Sequence, residues 1–137
     1  MRPARPDDFE WFYALRREGF APYVDQVFGP WDDAYHRPIA EREFAQLPVE
    51  IVGDGLAYQI VVREADHWFL DEIAVVAAER GRGLGTQLVT DIMTAARAAG
   101  MPVRLSVLHV NSAQRLYARL GFRVARVEHP RVKMEWP

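Results

Sequence analysis

Residues 69–99, FLDEIAVVAAERGRGLGTQLVTDIMTAARAA, put an apolar strand, a glycine- and arginine-rich loop and an amphipathic helix in immediate succession. Ile73, Val75 and Val76 read as a strand interior that breaks down at Ala77-Ala78-Glu79. Beyond the loop the apolar period changes: Leu84, Leu88, Ile92, Ala95 or Ala96, and Ala99 recur at helical spacing. Between the two periods lies Arg80-Gly81-Arg82-Gly83-Leu84-Gly85. A strand running through glycines into a helix start can serve as an anion site, or be a plain strand-to-helix connection with solvated arginines. The first helical N–H groups have no intrahelical acceptor, and the helix dipole favours negative charge there.

The rest of the chain arranges itself around this unit. Asp7 and Glu10 have capping-box spacing and open a helix that Gly19 is expected to stop. An aromatic segment broken at Pro22, Gly29-Pro30 and Pro38 reads as two short helices. Strands follow at Val49–Val52 and Leu56–Val62 around an Asp54-Gly55 turn, then at Trp68–Val76. Gly100 ends the central helix and Val103–Val110 forms the next strand. Asn111-Ser112-Ala113-Gln114 again has capping-box spacing and opens a helix that stops at Gly121. Phe122–Val127 and Val132–Trp136 close the order as strands. With no repeat or linker to divide them, residues 1–137 are expected to form one α/β domain. Its central βαβ unit makes residues 68–76 and 103–110 parallel neighbours.

Composition narrows the chemistry. The absence of cysteine excludes disulfides, thiolate zinc sites and cysteine nucleophiles, and makes a reducing cytoplasm the default location. No apolar run approaches the roughly 20 residues of a membrane helix, and no signal-like apolar region follows Met1, so no membrane partner is expected. Residues 1–79 carry 7 basic and 16 acidic side chains, whereas residues 80–137 carry 10 basic and 3 acidic ones. The basic half suits a phosphorylated ligand and the acidic half a cationic one. The arginines are dispersed without interleaved aromatics, which argues against a nucleic-acid partner. His36, His67, His109 and His129 lack compact ligand spacing, so no metal is expected.

The loop is neither a Rossmann turn, since its glycines are spaced by two, nor a P-loop, since it lacks Lys-Ser/Thr. It resembles the acyl-CoA motif Q/R-x-x-G-x-G/A of the GNAT acyltransferase superfamily, in the form RGRGLG at Arg80–Gly85. NSAQRLYARLGF at Asn111–Phe122 is similar to that family's second signature, and RPARPDDFEWFYAL to its N-terminal strand and helix. The resemblance covers nearly the whole chain. It implies a mixed sheet flanked by helices, with a central strand pair that splays apart.

The resemblance also implies roles. Backbone amides of Arg80, Gly81, Arg82, Gly83, Leu84 and Gly85 would hold the CoA pyrophosphate, with Arg80 and Arg82 adding charge-assisted bonds. Ile73, Ala74 and Val75 would present main-chain groups to pantetheine. Asn111 would bond pantetheine or cap its helix, and Tyr117 would protonate the departing thiolate. Period-2 alternation sets Glu72 opposite Ile73, which makes Glu72 a candidate base or acceptor ligand, with Asp71 or a water chain as the alternatives. The acceptor side would include Tyr23, Phe28, Trp31 and Tyr35, with Asp25, Asp32 and Asp33 able to attract an ammonium group; the plainer reading makes these caps and packing residues. Trp68 and Trp136 read as strand packing.

The expected activity is acetyl transfer from acetyl-CoA to a primary amine of a small molecule or peptide, with monomer and homodimer both open. A non-catalytic acyl-CoA-binding regulatory or interaction module is the alternative.

Overall fold

The computed structural model describes residues 1–137. Seven strands, β1 (Arg2–Pro3), β2 (Val49–Val52), β3 (Ala57–Arg63), β4 (Trp68–Val75), β5 (Val103–Leu108), β6 (Arg123–Glu128) and β7 (Arg131–Trp136), form one mixed sheet in the order β1-β2-β3-β4-β5-β7-β6. Four helices flank it: α1 (Phe9–Phe28), α2 (Asp33–Gln46), α3 (Leu84–Ala98) and α4 (Ala113–Arg119). β4 and β5 are parallel, in the register Trp68 with Val103 through Leu70 with Leu105. The helical crossover between them requires that sense. Every other recorded pairing is antiparallel.

Internal contacts divide the chain into two compact units. The first comprises Met1–Ile60 and Glu72–Arg80. In it the β2–β3 hairpin closes on Val52 paired with Ala57, as the Asp54-Gly55 signal requires. Its core is aromatic: the Phe12 ring lies 4.6 Å from Tyr58 and 5.0 Å from Phe44.

The first helix departs from expectation. α1 does not stop at Gly19 but continues through Pro22 to Phe28. A mid-helix glycine costs only about 1 kcal/mol relative to alanine, and burial of Phe12, Leu15 and Arg16 before it and Val24 after it outweighs that. The first of the two short helices expected after Gly19 is therefore the end of α1. The break at Gly29 is real, with φ +102°, and Asp32 then caps α2 by accepting the Ala34 amide at 3.0 Å.

The second unit comprises Val61–Asp71 and Gly81–Pro137. α3 buries Leu88, Val89, Ile92, Met93 and Ala96, so Ala96 rather than Ala95 completes the apolar face. β7 sits between β5 and β6 and presents Val132, Met134 and Trp136 to the core. Arg63 covers Trp68 and Arg97 covers Trp136, leaving both tryptophans as packing residues. No helix is long and apolar enough to cross a membrane.

Candidate active site

The glycine loop is built from its backbone. β4 ends at Val75 and a single 3-10 turn, Ala77–Glu79, leads to Arg80. Gly81 and Gly83 adopt φ +76° and +84°, left-handed values that a side chain disfavours, and Gly83 is the N-cap of α3. A Cβ added at Gly81, Gly83 or Gly85 would meet nothing within 4 Å, so the space over the loop is open. The Gln87 amide returns to Gly83 O at 2.9 Å, which leaves the earlier amides of α3 without helical acceptors. The first turn carries no acidic residue. These features fit a pyrophosphate held by main-chain donors.

Arg80 has other partners. Its Nε donates to Val75 O at 2.9 Å and its guanidinium pairs with Glu18 at 3.2 Å. It fastens the end of β4 to α1, while Arg82 stays exposed.

Tyr117 is buried in α4, its ring 5.6 Å from Phe122. Burial pushes its phenol up to about 12. Asn111 caps the same helix: its Oδ1 accepts the Ala113 amide at 2.8 Å, and Gln114 Nε2 donates to His109 O at 2.8 Å.

Glu72 belongs to a cluster that spacing did not reveal. Arg16 of α1 donates to Glu72 Oε2 through Nε at 3.2 Å and Nη2 at 3.1 Å, and to Glu43 Oε2 at 3.0 Å. The Tyr58 hydroxyl donates to the same Glu72 oxygen at 2.5 Å. The side chains of Arg16 and Glu72 are only 10% and 13% exposed. Burial works against the Arg16 charge, but Glu72, Tyr58 and Glu43 outweigh it and raise its pKa above the ordinary guanidinium value. Burial, with Glu72 adding to it, holds Tyr58 neutral far above the usual phenol range. Along β4, Glu72 shares its parity with the buried Leu70 and Ala74, whereas Ile73 is half-buried. Arg16 could have been suspected from sequence, since it follows Phe12 by one helical turn on what proves to be the buried stripe.

The acceptor-side aspartates are also engaged. Asp25 accepts the Trp31 amide at 2.8 Å and Asp32 caps α2. Asp33 accepts from the Tyr13 hydroxyl and the Trp31 indole and pairs with Arg17. The Tyr13 bond comes first among the causes that lower the Asp33 pKa. Trp31 stacks on His36 at 3.9 Å, while Phe28 and Tyr35 remain exposed. The structure therefore brings Trp31, Asp33 and Tyr13 together as a packed group. The histidines serve locally: His67 bonds Asp66, and His109 lies against His129. No group of three or more metal-ligating side chains occurs.

A left-handed glycine turn between β4 and the start of α3 thus leaves helix-start amides open to an anionic ligand. The acetyltransferase (GNAT) family model matches residues 6–122, and the chain belongs to that family, whose general activity is acetyl transfer from acetyl-CoA. Solved structures share the fold. The PaiA N-acetyltransferase of Thermoplasma acidophilum, in complex with coenzyme A, is 15% identical over 98% of this chain and 96% of its own, with a TM-score of 0.74. The ribosomal-protein-S18-alanine N-acetyltransferase of Escherichia coli is 21% identical over 98% and 90%, with a TM-score of 0.69. Naa20 of Chaetomium thermophilum, in complex with a bisubstrate analogue, is 20% identical over 99% and 85%, with a TM-score of 0.69. No curated protein matches the sequence.

Proposed function

We propose that the protein is an N-acetyltransferase that passes the acetyl group of acetyl-CoA directly to a primary amine of a small molecule or peptide. The observation that carries the reading is the left-handed turn at Gly81 and Gly83, which opens space over the unpaired amides of α3. The amides from Gly81 through Gly85, which lead into and begin α3, would hold the pyrophosphate. Main-chain groups of Ile73, Ala74 and Val75 would meet pantetheine. Acetyl-CoA supplies an acetyl group activated as a thioester.

Tyr117 is the proton donor to the departing thiolate in this scheme. A buried phenol raised to about 12 stays protonated throughout the physiological range, and a general acid of this kind contributes about 10²- to 10⁴-fold. Glu72 acts as a fixed carboxylate. With Arg16 and Tyr58 already on Oε2, it is better suited to receive an amine N–H than to work as a mobile base. The proton that the attacking amine loses passes to water, and the phenoxide left when Tyr117 protonates the thiolate is reprotonated from solvent. The engagement of Glu72 also favours, as a second reading, a module that binds acyl-CoA without turnover.

Thiol release from acetyl-CoA across a panel of amines and N-terminal peptides decides between them. The expected result is one class of acceptor that turns over, with Tyr117→Phe lowering kcat about 10²-fold or more while CoA still binds. Because the Tyr117 pKa is raised to about 12, no alkaline loss of rate traceable to Tyr117 is expected up to about pH 10. An alkaline limb that disappears in Tyr117→Phe would contradict this assignment. Tight CoA binding with no acceptor would favour the non-catalytic module.

A further inference from the structure

The sheet ends on β6, the one strand whose six residues, Arg123–Glu128, are all exposed. β7 uses both of its edges, against β5 and β6, whereas β6 pairs only with β7. An edge strand presents a row of unpaired N–H and C=O groups, a template for another strand.

A bulge changes what this edge displays. The register skips from Val124–Met134 to Arg126–Lys133, leaving Ala125 as the extra residue. Val124 and Val127 are three apart and would otherwise point to opposite faces. The bulge puts both on the face of Met134 and Val132, their β7 partners, which are 3% and 6% exposed. Yet Val124 and Val127 are themselves 54% and 66% exposed. The core face of the sheet thus runs on to an uncovered apolar edge. Arg123, Arg126 and Glu128 occupy the other face.

We infer that β6 is a homodimer interface, on which a second copy of this chain adds its own β6 antiparallel. The strand is self-complementary once the bulge is counted. A two-fold axis between Ala125 and Arg126 sets Val124 against the partner's Val127 and Arg123 against the partner's Glu128, and each pairing occurs twice by symmetry. Arg126 then lies opposite the partner's Ala125 and already has Glu128 of its own chain as an ion-pair partner. Apolar groups therefore meet on one face and opposite charges on the other. Edge charges and a bulge hinder indiscriminate pairing, but this pattern accepts its own copy.

Sedimentation equilibrium of the full chain in low-salt buffer, from about 1 to 500 µM to cover weak interfaces, tests the pairing. Wild type should dimerise. Arg123→Glu and Glu128→Arg should each weaken association by about tenfold or more, since each places like charges opposite one another twice. An equimolar mixture of the two variants should associate as wild type does, because each then supplies the charge the other needs. That rescue also shows that both variants are folded. A monomeric wild type would overturn the inference, as would single variants that dimerise like wild type through some other surface, or a mixture that remains monomeric.

Discussion

The glycine loop and the Arg16–Glu72–Tyr58 cluster are two ways of building a binding group, and they differ in almost every respect. The loop is mostly exposed, contiguous in sequence and acts through main-chain amides; three of its six residues, Gly81, Gly83 and Gly85, have no side chain. The cluster is buried, depends on side-chain charges and joins residues 56 positions apart. The loop can recognise an anion without any ionised group of its own. The cluster holds an arginine between two carboxylates, and each member depends on the others to be tolerated out of water. A substitution should therefore act on acetyl-CoA binding in the first region and foremost on folding in the second.

The largest expected effect falls on the cluster. Arg16→Met would leave Glu72 buried without its opposing charge, at a cost of about 3–5 kcal/mol. Adding Glu72→Gln should recover part of that loss, because the uncompensated charge is then gone. Denaturant unfolding of the single and double variants measures the coupling. If Arg16→Met unfolds within about 1 kcal/mol of wild type, the behaviour of an exposed pair, the contrast between the regions fails.

The same difference explains what could be read from the sequence. The strand, loop and helix of residues 69–99 announce themselves because left-handed glycines and a change of period are local, and the β2–β3 hairpin and the Asn111 cap are legible for the same reason. Partnerships are not local. Nothing near Glu72 in the chain names Arg16, and nothing near Asp33 names Tyr13, so the partners of these carboxylates come only from the fold. The Gly19 stop misled because a glycine signal is weak, and burial on both sides of it carried α1 onward. Arg80 shows the same limit: its position in the motif suggests a phosphate ligand, and nothing in the motif names the Val75 and Glu18 partners that its guanidinium has in the fold.

A smaller effect is expected in the loop. Gly83→Ala meets no protein atom, so its cost is the left-handed backbone alone, about 1–2 kcal/mol. Acetyl-CoA should feel it more directly, since the new methyl group stands beside the first amides of α3. The expected change is about a tenfold rise in the KM for acetyl-CoA, equivalent to about 1.4 kcal/mol, with little change in the KM for the amine. An increase in the amine KM alone would assign the loop to the wrong substrate.

The smallest effect separates the two arginines of the loop, and with them backbone recognition from charge recognition. Were Arg80 a phosphate ligand, removing it would forfeit a charge-assisted bond of about 1.5–3 kcal/mol and raise the acetyl-CoA KM more than about tenfold. Its bonds to Val75 O and Glu18 instead make it a tie between β4 and α1. Both ionic partners are about half exposed, the Arg80 side chain at 44% and Glu18 at 53%, and pairs of that kind contribute about 0–1 kcal/mol. Arg80→Met is therefore expected to shift the acetyl-CoA KM by no more than about threefold and to lower stability by less than about 1 kcal/mol. Arg82→Met, which removes an exposed charge beside the α3 amides, should produce the larger KM change of the two, and one that shrinks as salt is added. The reverse order would mean that the Arg80 guanidinium leaves Val75 and Glu18 when CoA arrives, and that the loop recognises its ligand by side-chain charge after all.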